Sequence, residues 1–135
     1  MGISGDSIYR EIILDHYQNP RHRGTLDPND YSYEDSNPLC GDEVRIDARV
    51  TDGKLDEIAF SGQGCAISQA SASILMELVE GKTLDQVKAI NKDELLDEIG
   101  IELSPARLKC ALLSLKVLKA ALYGIDHANE AIDEV

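Results

Sequence analysis

Basic residues are scarce in this chain of 135 residues, and tryptophan is absent. Lysine and arginine total 13 against 25 aspartates and glutamates, so the formal net charge is −12 at pH 7. A surface this acidic disfavours nucleic acids and anionic membranes as main partners, whereas basic protein surfaces stay compatible with it. We therefore expect neither a nucleic-acid-binding nor a membrane-binding protein.

Long apolar stretches are also missing. No run approaches the length that a membrane-spanning helix needs, and the first ten residues, MGISGDSIYR, lack the apolar core of a signal peptide. Residue 6 is Asp, where the myristoylation pattern requires Ser or Thr. The sequence thus predicts a cytoplasmic protein. Because 43% of its residues are hydrophobic and it has neither repeats nor a long linker, we expect a single domain over residues 1–135.

The predicted elements change period halfway along the chain. Apolar spacing predicts a helix over residues 6–17, followed by the loop NPRHRGTLDPND and a short strand at 31–35. Strands at 43–50 and 54–60 flank an Asp-Gly pair, which indicates a two-residue hairpin.

Helices are predicted after the hairpin: one over 65–80 that ends at Gly81, a short one opened by a Thr83–Gln86 capping box, and DELLDEIG, which ends at Gly100. Ser104-Pro105 then opens a long final helix. Strands followed by helices predict an α+β fold, in which helices pack on one face of a small antiparallel sheet of about three strands.

Cysteine is scarce too: the chain has three, at positions 40, 65 and 110. An odd number in a reducing compartment favours metal binding or thiol chemistry over disulfides. If the hairpin register continues unbroken, Cys40 faces Cys65, and even with a bulge both should lie at the same end of the sheet. The alternative for any one of them alone is a small buried hydrophobic residue.

Two of the cysteines have neighbours that suit an anionic sulfur. Cys65 follows the glycine-rich FSGQG at a predicted helix N-terminus, where exposed amides and the helix dipole favour the thiolate. Cys110 lies off the apolar stripe formed by Leu108, Leu112, Leu115 and Leu122. It shares a helix face with Arg107, whose guanidinium can stabilise the thiolate.

Asp42 lies two residues after Cys40 in a turn. By itself an aspartate there is more typical of a turn or cap residue. With three thiolates, however, its carboxylate would complete a tetrahedral zinc site, and three thiolates with a replaceable fourth ligand could equally hold an iron–sulfur cluster. Arg107 and Lys109 would offset the excess negative charge, and the oxygen ligand would leave one position labile.

Two other interpretations are weaker. A cysteine hydrolase needs a base, and no histidine lies in a convincing motif: His16 is more typical of a helix-face residue, and His22 and His127 lie in polar surroundings. A purely structural zinc domain is disfavoured because the apolar pattern already supports a core.

These residues resemble the IscU/SufU family (NifU N-terminal-like), the scaffold and sulfur-acceptor proteins of iron–sulfur cluster assembly. The resemblance covers YREIILDHYQNPRHRGTL, NPLCGDEVRI, FSGQGCAISQASASILMELVEGK and SPARLKCALLSLKVL. It implies an IscU/SufU-like α+β fold and sulfur received from a cysteine desulfurase. It also implies a ligand set of Cys40, Asp42, Cys65 and Cys110, with Gly41 and Gly64 in support and Cys110 as candidate persulfide acceptor.

The sequence combines features of both branches. Lys109 stands where IscU proteins carry His before the third cysteine, and LSPARLKC replaces their Leu-Pro-Pro-Val-Lys chaperone-binding segment. The Arg-x-Lys-Cys arrangement resembles SufU, whereas residues 81–104 are as short as in IscU.

Two functions therefore follow from the resemblance. The first is a non-enzymatic scaffold that assembles a transient cluster, expected to be two-iron two-sulfur, passes it to apo-proteins and forms a homo-oligomer when loaded. The alternative is a zinc-dependent persulfide acceptor of the SufU type, with sulfurtransferase-like activity.

Overall fold

The computed structural model describes residues 5–38 and 41–123, which form three strands and five helices. The elements follow the chain in the order α1 (Gly5–Gln18), β1 (Tyr31–Asn37), β2 (Asp42–Thr51), β3 (Lys54–Gln63), α2 (Ala66–Val79), α3 (Leu84–Ala89), α4 (Lys92–Ile99) and α5 (Pro105–Tyr123). The predicted α+β class is confirmed. Among the described helices, none is both long and apolar enough to cross a membrane.

The sheet is antiparallel with strand order β1-β2-β3. Asp52 and Gly53 both have positive φ, 53° and 75°, as a type I′ two-residue hairpin requires. The register then shifts by one residue at a bulge between Arg49 and Val50, so the unbroken register considered from the sequence was wrong. The last pair at this end is Glu43 with Gln63, and Asp42 therefore starts β2 where β3 leads into Gly64.

Helices cover one face of the sheet. Val44, Ile46 and Ala48 of β2 and Phe60 of β3 are completely buried on this face, where α5 contacts β1 and β2 and α2 contacts β3. The apolar stripe expected on α5 is confirmed, since Leu112 and Leu115 are buried and Leu108 and Leu122 pack against the core, but burial extends beyond this stripe. Residues 110–115 and 117–120 are all buried, because α5 also packs against α2 and α4.

The predicted loop at residues 19–30 covers part of the opposite face. Gly24 donates its N–H to the Phe60 carbonyl (2.8 Å), and Phe60 donates to the His22 carbonyl (2.9 Å), so the segment pairs with the outer edge of β3. Asp47 is buried beneath it and accepts hydrogen bonds from the Leu26 N–H and the Ser32 hydroxyl. A buried carboxylate thereby ties this segment to the sheet.

Helix ends follow the predicted signals. Cys65 is the N-cap of α2, Thr83 and Gln86 form the expected capping box of α3, and Gly100 ends α4 in the left-handed conformation. The Ser104 hydroxyl accepts the Arg107 N–H (3.4 Å) at the start of α5. Because the starts of α2 and α5 are fixed in this way, the positions of Cys65 and Cys110 follow.

Candidate metal centre

Asp42, Cys65 and Cys110 converge at one end of the sheet. One ligand atom from each lies within 4.8 Å of the other two, a grouping that could hold a metal ion. Ligand atoms at zinc distances from a tetrahedral ion are about 3.3–3.8 Å apart, so a small inward movement would bring these three to a common ion. Cys40, the remaining predicted ligand, lies outside the described residues.

Two of the three residues in this group are buried. Asp42 and Cys110 are 0% and 1% exposed, whereas Cys65 is partly exposed. Solvent and partners can therefore reach the cluster most readily at Cys65.

Asp42 and Cys65 are linked directly. Oδ1 of Asp42 accepts the backbone N–H of Cys65 at 2.8 Å, and Sγ of Cys65 lies 3.7 Å from Oδ2. The same sulfur accepts the N–H of Ser68 at 3.4 Å, as a serine hydroxyl does at an N-cap. The carboxylate thus makes the cap-like backbone contact expected of an isolated aspartate. It also lies within 4.8 Å of the sulfurs of Cys65 and Cys110.

The two glycines predicted to support the site differ physically. A Cβ on Gly64 would lie 2.3 Å from Oδ1 of Asp42, so only a glycine lets the buried carboxylate approach the start of α2. Gly41 has a φ of +70°, and a Cβ added there would have no atom within 4 Å, so its role is conformational. Gly62 must likewise lack a side chain, because a Cβ there would lie 2.1 Å from the Glu43 carbonyl oxygen.

Cys110 lies in the second turn of α5, with its Sγ 3.4 Å from the Ala106 carbonyl oxygen. It is disulfide-bonded in this structure, while Cys65 is free. This differs from the expectation that disulfides are disfavoured. Thiols close enough to share a metal are also close enough to oxidise, so Cys110 would have to be reduced before it could act as a metal ligand.

Arg107 and Lys109 are exposed on the first two turns of α5. They lie three residues and one residue before Cys110 in the same helix. Their influence on the thiolates stays a prediction.

His16 is buried in a separate network between α1 and α2. Its Nδ1 lies 2.7 Å from the Ser73 hydroxyl, and its Nε2 lies 3.3 Å from Glu77. Burial lowers the pKa of His16, helped by the charge of Arg21, while Glu77 and Asp15 oppose this shift. The expectation that His16 is a helix residue rather than a ligand agrees with this packing role, although no sequence pattern indicated its hydrogen bonds.

Comparison with known proteins gives consistent matches. The NifU-like N terminal domain family matches residues 8–131. The zinc-dependent sulfurtransferase SufU of Bacillus subtilis is 36% identical over 132 residues, which cover 84% of this chain and 88% of the relative. The iron–sulfur cluster assembly scaffold protein IscU of Escherichia coli is 35% identical over 127 residues, covering 91% of this chain and 98% of the relative.

A solved structure has the same fold. The N-terminal part of a nitrogen-fixing NifU-like protein from Brucella abortus superposes with a TM-score of 0.72 at 26% identity, covering 91% of this chain and 98% of that one. Because one family matches nearly the whole chain and relatives from both branches align with most of it, the chain belongs to the IscU/SufU family of NifU-like N-terminal domains.

Proposed function

We propose that this protein is an iron–sulfur cluster assembly scaffold. It receives sulfur from a cysteine desulfurase, assembles a cluster on Cys40, Asp42, Cys65 and Cys110, and transfers that cluster to apo-proteins. The observation that carries the proposal is the convergence of a buried carboxylate and two cysteine sulfurs at one partly open end of the sheet. The name of the IscU relative supports it.

Sulfur enters as a persulfide. A thiolate of this chain attacks the outer sulfur of a persulfide on the desulfurase. A new sulfur–sulfur bond forms, the old one breaks, and the desulfurase cysteine leaves as its thiolate. Cys110 is our candidate acceptor, but its side chain is only 1% exposed. Transfer to it therefore requires opening of the exposed start of α5, from Ser104, which precedes the helix, to Arg107.

Asp42 has a different role from the thiols. Soft thiolates suit zinc and iron–sulfur clusters better than a hard carboxylate oxygen does, so Asp42 marks the position at which a ligand is exchanged. Its hydrogen bond to the Cys65 N–H also fixes the turn that presents Cys65. We propose that Asp42 assists release of the finished cluster rather than its retention.

A zinc-dependent persulfide acceptor is the second candidate, and two observations favour it. One relative is a zinc-dependent sulfurtransferase, and Lys109 precedes Cys110 where IscU proteins carry His. The SufU alignment spans 132 residues yet covers only 84% of this chain, so the relative carries residues that this chain lacks. Sequence features thus divide between the branches, whereas the four-residue ligand set serves both functions.

Anaerobic purification distinguishes the two functions. Metal content, acid-labile sulfide and the visible absorption spectrum are measured on freshly reduced protein, before and after incubation with a cysteine desulfurase, L-cysteine, ferrous iron and a reductant that converts persulfide sulfur to sulfide. Coloured protein with stoichiometric iron and sulfide supports the scaffold, while colourless protein with one zinc that takes up persulfide supports the second function. Protein that acquires neither metal nor persulfide contradicts both.

Shared ligation is tested by single substitutions. Cys40→Ser, Cys65→Ser and Cys110→Ser should each lose most of the bound zinc or cluster, because three thiolates act on one centre. Wild-type metal content and affinity in Cys110→Ser would contradict the convergent site. Mass spectrometry of the same variants after exposure to the desulfurase locates the persulfide, which we expect to be lost with Cys110.

A further inference from the structure

Three buried side-chain polar atoms have no hydrogen-bond partner among the described residues: Ser68 Oγ, Gln69 Nε2 and Ser114 Oγ. Their residues are only 1%, 4% and 1% exposed. Native proteins pair the great majority of such atoms, because an unpaired buried donor destabilises the fold. Three of them in one small domain therefore need a physical reason.

All three residues follow Cys65 or Cys110 by about one helical turn. Ser68 and Gln69 follow Cys65 by three and four residues at the start of α2, and Ser114 follows Cys110 by four residues in α5. Residues at this spacing share a helix face. Helical side chains also lean towards the N-terminus, so these three lean back towards the turns that carry the cysteines.

Gln69 is oriented by a contact at its other end. Its Oε1 accepts a hydrogen bond from Nη1 of Arg23 at 3.3 Å, and Arg23 also donates to the Gly62 carbonyl at 2.7 Å. Because Arg23 occupies the amide oxygen, the unpaired atom is the nitrogen, which only donates. The two serine hydroxyls can donate as well. The set therefore suits a negatively charged acceptor.

Bound sulfur is such an acceptor. Three thiolates and one carboxylate carry more negative charge than one divalent metal ion neutralises. Hydrogen bonds to the sulfurs disperse that excess charge and tune metal affinity and reduction potential. The Ser68 N–H already makes one contact of this kind, at 3.4 Å from Sγ of Cys65.

We propose that Ser68, Gln69 and Ser114 are positioning residues that donate hydrogen bonds to the sulfur atoms held at Cys65 and Cys110. This inference rests on the proposed function, since it assigns these donors to the same metal-binding site. In the metal-free protein they destabilise the fold, and they become paired when sulfur and metal are bound.

Cobalt(II) provides a probe of sulfur that does not depend on cluster transfer. Ser68→Ala and Ser114→Ala are compared with wild type in reduced protein, with Ser71→Ala as the matched control. Ser71 is an equally buried serine of α2, but it lies six residues after Cys65 and hence on another side of the helix. The near-ultraviolet thiolate-to-cobalt charge-transfer bands, the cobalt dissociation constant and the urea midpoint of the metal-free protein are measured.

Loss of a donor should raise the energy of the filled sulfur orbitals. We therefore expect the charge-transfer bands of Ser68→Ala and Ser114→Ala to move to longer wavelength and their cobalt affinity to fall about 10-fold. The metal-free variants should unfold at the same or a higher urea concentration than wild type, because an unpaired buried hydroxyl has been removed. Ser71→Ala should leave the charge-transfer bands and the cobalt affinity unchanged. Ser114→Thr, which keeps a hydroxyl at this position, should show the wild-type band position.

One result would refute the metal-binding site, and a separate result would refute only the donor role of the three residues. If wild-type protein shows no thiolate-to-cobalt bands, or if Cys65→Ser leaves them unaltered, the metal-binding site itself is wrong. If wild type binds cobalt but the bands and affinity of Ser68→Ala and Ser114→Ala match those of Ser71→Ala, the site stands and the donor role is refuted. Should Ser114→Ala not fold, Ser68→Ala alone decides the outcome by the same measurements.

Discussion

Gly64→Ala would place a methyl group in the space that the Asp42 carboxylate occupies. The added Cβ would lie 2.3 Å from Oδ1, 2.9 Å from Cγ and 3.0 Å from Cβ of Asp42. The carboxylate cannot simply turn into solvent, because Asp42 is 0% exposed. The substitution should therefore push Asp42 away from the Cys65 N–H, which it holds at 2.8 Å.

The expected loss of stability combines two effects. Overpacking of a buried position destabilises by about 1–3 kcal/mol, and loss of a hydrogen bond to a charged group by about 1.5–3 kcal/mol. We expect the free energy of unfolding of Gly64→Ala to fall by about 3–5 kcal/mol. Gly41→Ala is the matched control: it meets no atom within 4 Å but has a φ of +70°. It should lose about 1–2 kcal/mol through backbone strain alone.

Urea unfolding of the reduced, metal-free proteins measures this difference, and zinc competition titration measures its effect on the site. Gly64→Ala should bind zinc more weakly than Gly41→Ala, since it displaces a ligand and the adjacent cysteine together. Equal stability and equal zinc affinity in the two variants would refute the role of Asp42 at the start of α2.

Three further predictions concern charge and protonation. Arg107→Glu should slow persulfide transfer from the desulfurase, because the new carboxylate disfavours the nearby thiolates, and the fold should survive because position 107 is exposed. Lys54→Glu, at the distant hairpin, is the control, and equal persulfide-transfer rates in the two variants would remove Arg107 from the mechanism. An assembled cluster should persist longer in Asp42→Ala than in wild type and reach an apo-acceptor more slowly, followed by its visible absorbance anaerobically; faster decay would make Asp42 a holding ligand. The pKa of His16 lies below its ordinary 6.5 mainly through burial, so the unfolded chain takes up a proton at this histidine before the folded protein does. The stability that neutral His16 contributes is therefore present above pH 6.5 and decreases as the pH falls below it. Urea unfolding from about pH 7.5 to 5 should show a steeper loss for wild type than for His16→Gln, and parallel curves would contradict this.

Local signals in the sequence predicted much of the fold. The Asp-Gly hairpin, the Thr83–Gln86 capping box and the Gly100 helix end are each encoded within four residues, and all three were confirmed. Cys65 at the start of a helix was predicted in the same way. Such features depend on backbone preferences and nearby hydrogen bonds, which a sequence shows directly.

Features that depend on distant partners could not be predicted. The bulge at Arg49 and Val50 leaves no pattern in the alternation of β2, yet it shifts the register that brings Asp42 to the cluster. Likewise, the helical period of α5 does not reveal that α2 and α4 also cover it. The reason for Gly64 is a contact with a residue 22 positions earlier, which only the folded arrangement provides.

X-ray absorption at the zinc edge of the reduced, zinc-loaded protein tests the proposed site most directly. The proposed ligand set predicts three sulfurs at about 2.3 Å and one oxygen at about 2.0 Å from the metal. At a zinc concentration high enough to load the weakened sites, Cys65→Ser and Cys110→Ser should each reduce the sulfur count by one. A shell of nitrogen and oxygen alone, or a sulfur count that neither substitution changes, would contradict a metal centre built on Asp42, Cys65 and Cys110.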